Sequence, residues 1–392
     1  MAYRRVWAEI NLDNLAYNTG IIRSHIPADT TLMGIVKADA YGHGAVPVAY
    51  TMLASGVTEL GVAIYEEGFV LRQAGIQAPV LVMGFTPEPF LPTVVQHNLT
   101  QTVFSKDGAN ALGKAAHQNN KRAAIHIKID TGMSRLGFLP TAESVDAICD
   151  IANDPNLFIE GIYTHCATSD QLDHEFVFEQ EARFNWVLGE LKKRGLNLLK
   201  KHMVNSGAFV QTIRKLSEPN DPSRPFIGNS IFMDIARIGI LLYGLPPSGE
   251  MVTACEILGL RPVMRLLAQV SMVKNLEAGV GISYGHIYKT TRKSTIAVLP
   301  IGYADGYPRR LSKGGRVLVR GQYAPIAGAI CMDQCMADVT DIPNVAPGET
   351  VVLLGTKEEG LCADDLADIV GTINYEIVCG IGKRVPRVYM ND

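Results

Sequence analysis

Lys37 closes an apolar run, Leu32 to Val36, that stops abruptly at turn formers, the pattern of a buried strand. Lysine is seldom buried without a partner, so a lysine ending a core strand needs a reason. Desolvation there lowers the amine's pKa and favours its neutral form, which attacks carbonyls. The alternative is a stem that snorkels to solvent. Gly42 and Gly44, in Ala38-Asp39-Ala40-Tyr41-Gly42-His43-Gly44, favour the chemical reading, because glycine lets the backbone turn closely around a ligand. Other apolar runs also end in polar groups: Lys128, Asp130 and Arg135 after one, then His165, Asn205-Ser206, and Arg237 with Gly239 behind it. Any one of these is an ordinary strand end. Their recurrence at four or more ends points to a shared site.

The elements that must position these residues alternate along the chain. Strands are expected at Leu32–Val36, Leu60–Ile64, Val80–Phe85, Gln101–Phe104, Ala124–Ile129, Phe158–Thr164, Met203–Asn205 and Met233–Arg237, with helical patterns between them such as Phe176–Arg194. A shorter strand over residues 6–12 precedes them, followed by a helix capped by Asp13 and running to about His25. About eight βα units in about 240 residues have the rhythm of a (β/α)8 barrel, whose sites gather at the C-terminal ends of its strands. A doubly wound open sheet is the competitor, though it more usually stops at five or six strands.

After Tyr243-Gly244 the turn-rich Leu245-Pro246-Pro247-Ser248-Gly249-Glu250 marks a boundary. We expect a barrel domain over 1–245 and a β-rich domain over 246–392, with strands at Met264–Lys274, Ser294–Leu299, Arg316–Val319 and Thr350–Leu354 and little helix before about Cys362. The first strand is a candidate to pack onto this second domain.

The composition, 47% hydrophobic and 19% charged in 392 residues, is that of a soluble globular protein. No apolar run approaches a membrane span and the N-terminal stretch has no signal-peptide core, so a cytoplasmic location is expected. A formal charge of -3 gives no reason to expect nucleic acid or an anionic membrane as partner. Seven scattered cysteines argue against a disulfide framework. Cys331 and Cys335 lie four apart, but no second Cys/His pair stands at zinc-site spacing, so they read as small core residues and no metal is expected.

The Lys37 stretch resembles the cofactor-lysine signature of the alanine racemases, pyridoxal-phosphate (PLP) enzymes that join a barrel to a β domain. So do Ile129-Asp130-Thr131-Gly132-Met133-Ser134-Arg135-Leu136-Gly137, Tyr163-Thr164-His165, Asn205-Ser206 and Arg237-Ile238-Gly239-Ile240. In the β-rich half the same holds for Ile282-Ser283-Tyr284-Gly285, Ile301-Gly302-Tyr303-Ala304-Asp305-Gly306-Tyr307, Cys331-Met332-Asp333-Gln334 and Asn374-Tyr375-Glu376. Together they cover nearly the whole chain.

The resemblance implies Lys37 as the imine lysine and a phosphate site near Tyr41, Ser206, Gly239, Ile240 and Tyr375, with Asn205 beside them. Ser206 is alternatively a helix cap. It implies Arg237 as the partner of the pyridine nitrogen. Arginine only donates, so that nitrogen stays unprotonated and the cofactor is a weaker electron sink, which fits racemisation better than transamination. Against this stands an Arg237 paired with Asp234 or another rim carboxylate. Racemisation needs a proton removed from one face of Cα and returned to the other. By resemblance Lys37 serves one face and Tyr284, reaching in from a partner subunit, the other, which requires a homodimer. Tyr284 is otherwise a common loop aromatic. His165 and Arg135 are implied to orient Tyr284 and the cofactor oxygen, and Lys128 matches a position often carbamylated to position Arg135. Arg135, Met332, Asp333 and Tyr303 are implied around the substrate, with Tyr303 and Tyr375 narrowing the entrance to suit a methyl side chain. The family usually carries a bulky basic residue where this chain has Ala329, which opens a broader amino-acid or serine racemase as the alternative.

The expected function is therefore interconversion of L- and D-alanine, supplying D-alanine for peptidoglycan. A barrel-type PLP decarboxylase would hold the ring nitrogen with a carboxylate, which Arg237 is not. A cofactor-free Schiff-base lyase would have no use for the phosphate site, and a barrel-only PLP carrier no use for the second domain.

Overall fold

The computed structural model describes residues 5–171, 175–217 and 229–391. The chain divides into two compact units, one of Leu15–Ala40 and Ala45–Arg261, the other of Met1–Asn14, Tyr41–Gly44 and Pro262–Asp392. Its strands, in chain order, are β1 (Val6–Asn11), β2 (Thr31–Ile35), β3 (Glu59–Val62), β4 (Val80–Val82), β5 (Thr100–Val103), β6 (Ala123–Lys128), β7 (Leu157–Tyr163), β8 (Lys200–His202) and β9 (Ile235–Ile238). Ten more follow: β10 (Met264–Gln269), β11 (Met272–Leu276), β12 (Gly281–Ile282), β13 (Tyr288–Lys289), β14 (Ser294–Leu299), β15 (Arg316–Val319), β16 (Gln322–Pro325), β17 (Cys335–Asp338), β18 (Thr350–Leu354) and β19 (Arg387–Met390).

In the first unit β2 to β9 form one eight-stranded sheet, β8-β7-β6-β5-β4-β3-β2-β9, every paired strand parallel. The first strand pairs with the last, Thr31 opposite Ile235, so the sheet curls into a barrel. The remaining seam lies between β8 and β9. There Asp234 N–H donates to Lys201 O at 3.0 Å and Arg237 N–H to Val204 O at 3.1 Å, while the Asp234 carboxylate takes the Lys201 N–H at 2.8 Å. Strands such as β3, β4, β5 and β9 are buried at every residue, as expected where helices cover one face and the barrel core the other.

The seventh barrel strand falls at Lys200–His202, three residues before the expected Met203–Asn205. Two adjacent lysines disguise it. Lys200 is tolerated there because its ammonium donates to Glu59 at 2.6 Å and to Glu160 at 2.8 Å. The helix Leu12–Ser24 is capped by Asn11, whose Oδ1 accepts the Asn14 N–H at 2.7 Å, and Asp13 lies in its first turn.

In the second unit six strands pair in the order β16-β15-β18-β10-β1-β19, and β11-β14-β17 make a smaller antiparallel sheet. Here β1 lies between β10, antiparallel, and β19, parallel. The expected run Met264–Lys274 is two strands, because the chain leaves one sheet at Gln269 and joins the other at Met272. Helices Ala363–Val370 and Asn374–Gly380 follow the strand-rich stretch.

Candidate active site

The barrel gathers its polar groups where the strands end. Lys37 follows β2, and the chain beyond it turns in an unusual way. Ala38, Asp39, Ala40 and Tyr41 all take positive φ between 52° and 55°, a left-handed turn built without glycine. Such backbone costs about 1–2 kcal/mol per residue, so the surroundings must hold it. Ala40 N–H donates to Val36 O at 2.9 Å, Glu67 Oε1 takes the Ala38 N–H at 2.6 Å, and Asp39 Oδ1 takes the Ala45 N–H at 2.7 Å. The strain fixes the point at which Lys37 leaves its strand.

Lys128 ends β6. Its ammonium donates to Ile129 O at 3.1 Å and lies 5.0 Å from the centre of the Tyr163 ring. Burial, followed by the charge of Arg237, pulls its amine down to about 7. Asp130 shapes the next loop. Its carboxylate accepts the N–H groups of Gly132, Ser134 and Arg135 at 2.9–3.0 Å, and these outweigh burial to hold it below the usual range. A Cβ at Gly137 would meet Asp130 N at 2.4 Å, so only glycine lets this loop fold back onto β6. Arg135 rides on the loop with its side chain exposed.

Arg237 is buried in β9, and among the described residues no carboxylate touches it. Its guanidinium donates to His202 Nδ1 at 2.8 Å, Thr164 O at 2.8 Å, Met203 O at 3.1 Å and His165 Nδ1 at 3.3 Å. The rim carboxylate weighed as its partner, Asp234, is taken by Lys201. Burial lowers the guanidinium to about 10, which leaves it charged at neutral pH. Burial and then Arg237, Lys128, Arg135 and Lys37 push the His165 imidazole well below its ordinary value. Four basic side chains therefore bear on one neutral ring.

Ser206 opens the helix Ser206–Ser217, but Asn205 caps it, with Oδ1 accepting the Ala208 N–H at 2.9 Å and the Ser169 hydroxyl at 2.8 Å. The Asn205 amide donates to Cys166 O at 3.3 Å, so its side chain serves the fold of the rim. Ser206 Oγ instead accepts the Gly239 N–H at 3.0 Å, across to the end of β9. Its O–H remains a donor beside Ile240, the first residue of the turn Ile240–Tyr243.

The other unit holds a second group of expected site residues. Tyr41 is buried with its ring 6.1 Å from that of Tyr375, and burial, then Tyr375 and Cys379, raises its phenol far above the ordinary value. The adjoining glycines are required by packing in this unit. A Cβ at Gly42 would meet Val378 O at 2.3 Å, and one at Gly44 the Tyr389 hydroxyl. Tyr303 and Ala304 are clamped onto Cys331 and Met332 by backbone bonds of 3.1 and 3.0 Å, and a Cβ on Gly302 would strike both carbonyls. Asp333 pairs with Arg384 at 2.8 Å. Ala329 is 3% exposed, its carbonyl accepting the Ser283 hydroxyl at 2.6 Å. Next to it Tyr284 stands 75% exposed, presented by Ser283 at φ 62° and ψ −171°. Cys335 is buried, whereas Cys331 Sγ faces Ser283 Oγ at 3.3 Å.

Family models match almost end to end, alanine racemase N-terminal domain over residues 10–247 and alanine racemase C-terminal domain over 263–389. The chain belongs to the alanine racemase family. It is 44% identical over 390 residues to alanine racemase 1 of Clostridium acetobutylicum, across 99% of this chain and 96% of that one. Among solved members of the alanine racemase family, the Clostridium difficile 630 enzyme is 38% identical, with a TM-score of 0.91 over 100% of this chain and 97% of its own. The Bartonella henselae alanine racemase, solved with covalently bound pyridoxal phosphate, is 28% identical with a TM-score of 0.83, covering 99% and 100%.

Sequence reading gave no role to several residues that shape the barrel interior: Tyr163, quoted only within Tyr163-Thr164-His165, and His202, His126 and Glu67. His126 was the legible one, since it lies two before Lys128 on one strand and so shares its face. His202 was hidden in the disguised strand, and Glu67 accepts the backbone N–H groups of Ala38, Ala63 and Ile64.

Proposed function

We propose that this chain interconverts L- and D-alanine with pyridoxal 5'-phosphate, using Lys37 on one face of the substrate Cα and the partner's Tyr284 on the other. The observation that carries the reading is the convergence of Lys37, Lys128, Arg135 and Arg237 on His165, with no carboxylate facing Arg237 among the described residues. Such a cluster of basic side chains, with Arg237 charged at its centre, suits an anionic, phosphate-bearing group. Ser206, Gly239 and Ile240 would hold the phosphate together with Tyr41 and Tyr375, and Arg237 would face the ring nitrogen. When bound, the cofactor would supply a carbonyl carbon for the Lys37 amine and an electron sink for Cα.

The chain's own residues then have separable tasks. Arg237 keeps the ring nitrogen unprotonated, because a guanidinium has protons to give and no lone pair to accept one. Lys37 takes or returns the Cα proton on its face, and tyrosine serves the opposite face. Lys128 as a carbamate would position Arg135; a buried neutral amine is the form that adds to carbon dioxide, forming the N–C bond and releasing one proton. Backbone N–H groups of Met332 and Asp333 suit the substrate carboxylate better than the Asp333 side chain, which would repel it. Tyr303 and Tyr375 would narrow the entrance. The exposure of Tyr284, and of Ile287, Met332 and Tyr303 in the same unit, supports a homodimer in which a second copy covers Tyr284, and a cytoplasmic location is part of the same proposal. D-Alanine for peptidoglycan is the product use that fits.

The test is the rate of D-isomer formation from L-alanine and L-serine, side by side, with PLP present. Preference for alanine is expected, with loss of turnover in both Lys37→Ala and Tyr284→Phe. Comparable rates would make the protein a broader racemase, and no turnover of either would overturn the assignment.

A further inference from the structure

Arg237 is a buried cation with no carboxylate against it among the described residues, yet a carboxylate lies at the end of a chain of side chains leading from it. A guanidinium only donates, so the 2.8 Å contact from Arg237 Nη1 makes His202 Nδ1 an acceptor and places that ring's proton on Nε2. His202 Nε2 stands 2.8 Å from His126 Nδ1, which must then accept, leaving the His126 proton on Nε2. That nitrogen faces Glu160 Oε2 at 3.7 Å, an electrostatic contact rather than a full hydrogen bond. Glu160 in turn takes Lys200 at 2.8 Å, at the start of the strands and the opposite end of the barrel. The protons along the line therefore run in one sense, set jointly by the arginine at its head and by the acceptors His126 and Glu160 behind it.

The backbone is built for this contact. Between β6 and β7 the register slips: Ile125 lies opposite Ile159, but His126 lies opposite Gly161, so Glu160 is an extra residue in its strand. Such bulges re-aim a side chain. At the next position a Cβ would fall 2.8 Å from His126 Cε1 and 2.9 Å from Nε2, so Gly161 leaves room for the ring. His202 is further held by stacking on Tyr163, with ring centres 4.6 Å apart, and by an edge contact from His126 at 4.9 Å.

We propose that Glu160 supplies the counter-charge of Arg237 through the imidazoles of His126 and His202, and that this line positions Arg237 for its role at the ring nitrogen. It rests on the reading of Arg237 given above. His126 and Glu160 are positioning residues, acting on the site through His202. Without the His126 acceptor, His202 is free to adopt the other tautomer, which would turn an N–H against the Arg237 N–H.

The test begins on the protein without cofactor, labelled with 15N-histidine. Two-bond 1H–15N spectra distinguish the tautomers, and His202 and His126 are assigned by His202→Gln and His126→Phe. Both rings are expected protonated on Nε2, and His202 is expected to lose that single tautomer in His126→Phe. If His126→Phe does not fold, Glu160→Gln serves instead, with exchange broadening of His126 expected. In the loaded enzyme Glu160→Gln should lower kcat about tenfold or more with KM little changed, the scale seen when an outer carboxylate that orients an imidazole is lost. His202 protonated on Nδ1 in the wild type, or a His202 tautomer and kcat both indifferent to these changes, would overturn the proposal. Failure of the PLP reading would look different: correct tautomers in a protein that does not racemise.

Discussion

Lys128 and Arg237 share one aromatic ring, each with its charge centre 5.0 Å from the centroid of Tyr163. Two cations on one buried ring oppose each other, and the one that can shed its proton is the lysine. Its amine, at about 7, is substantially neutral at physiological pH. Because this pKa lies below the unfolded value, the folded chain binds fewer protons between about 7 and 10.5, and Lys128 makes stability rise with pH across that window. We predict uptake of 13C-bicarbonate as a carbamate carbon resonance at neutral and alkaline pH, absent in Lys128→Met. A wild-type spectrum identical to that of Lys128→Met would remove the carbamate from the mechanism.

The left-handed turn after Lys37 is a second place to intervene. Ala38 is exposed and sits at φ 53°, where glycine is at ease. Ala38→Gly should raise stability by about 1 kcal/mol in urea unfolding by relieving strain. It should also lower kcat, as Lys37 gains freedom. A more stable variant with wild-type kcat would show that the turn does not serve to aim the lysine.

Glu160 carries a pH signature. His126 and then Lys200, working against burial, hold its carboxyl at about 2, while Thr100 Oγ1 adds a 3.4 Å contact and Glu59 shares the Lys200 ammonium. A depressed acid stabilises the fold fully above its unfolded value of 4.5 and loses that contribution as pH falls from there towards 2. Glu160→Gln should therefore be less stable than the wild type at pH 6, with the gap closing under acid. Thermal melts from pH 6 down to 3 measure this, and a gap constant with pH would contradict it.

Asp305 is fully buried and holds its loop from three sides: Arg5 at 2.7 Å, Arg384 at 3.4 Å, and the Gly302 N–H at 3.1 Å. Asp305→Ala leaves those donors without their acceptor and should cost about 2 kcal/mol or more. Since the loop carries Tyr303, KM for alanine should rise as well. Unchanged KM in a destabilised variant would confine Asp305 to folding.

Much of this was legible in advance because parallel strands announce themselves as short apolar runs, and the strand ends then mark the site. Lys37, Lys128, His165 and Arg237 were found that way. Legibility failed where side chains serve the backbone or each other. Lys200-Lys201 reads as loop because nothing in the local sequence reveals that Glu59 and Glu160 wait for the ammonium. Gly42 and Gly44 read as ligand glycines, although what crowds them is Val378 and Tyr389, more than 300 residues on. The bulge at Glu160 leaves no local signature, since it is defined by register against β6.

The exposure of Tyr284 has a genetic consequence. If the tyrosine works only in the neighbouring copy, a chain lacking Lys37 and a chain lacking Tyr284 are each inactive alone but repair each other when mixed. Their hybrid holds one site with both defects and one with neither. Two null alleles would then complement to about half the activity of each hybrid's wild-type counterpart, so loss-of-function changes in this protein would sort into two classes by the face they disable.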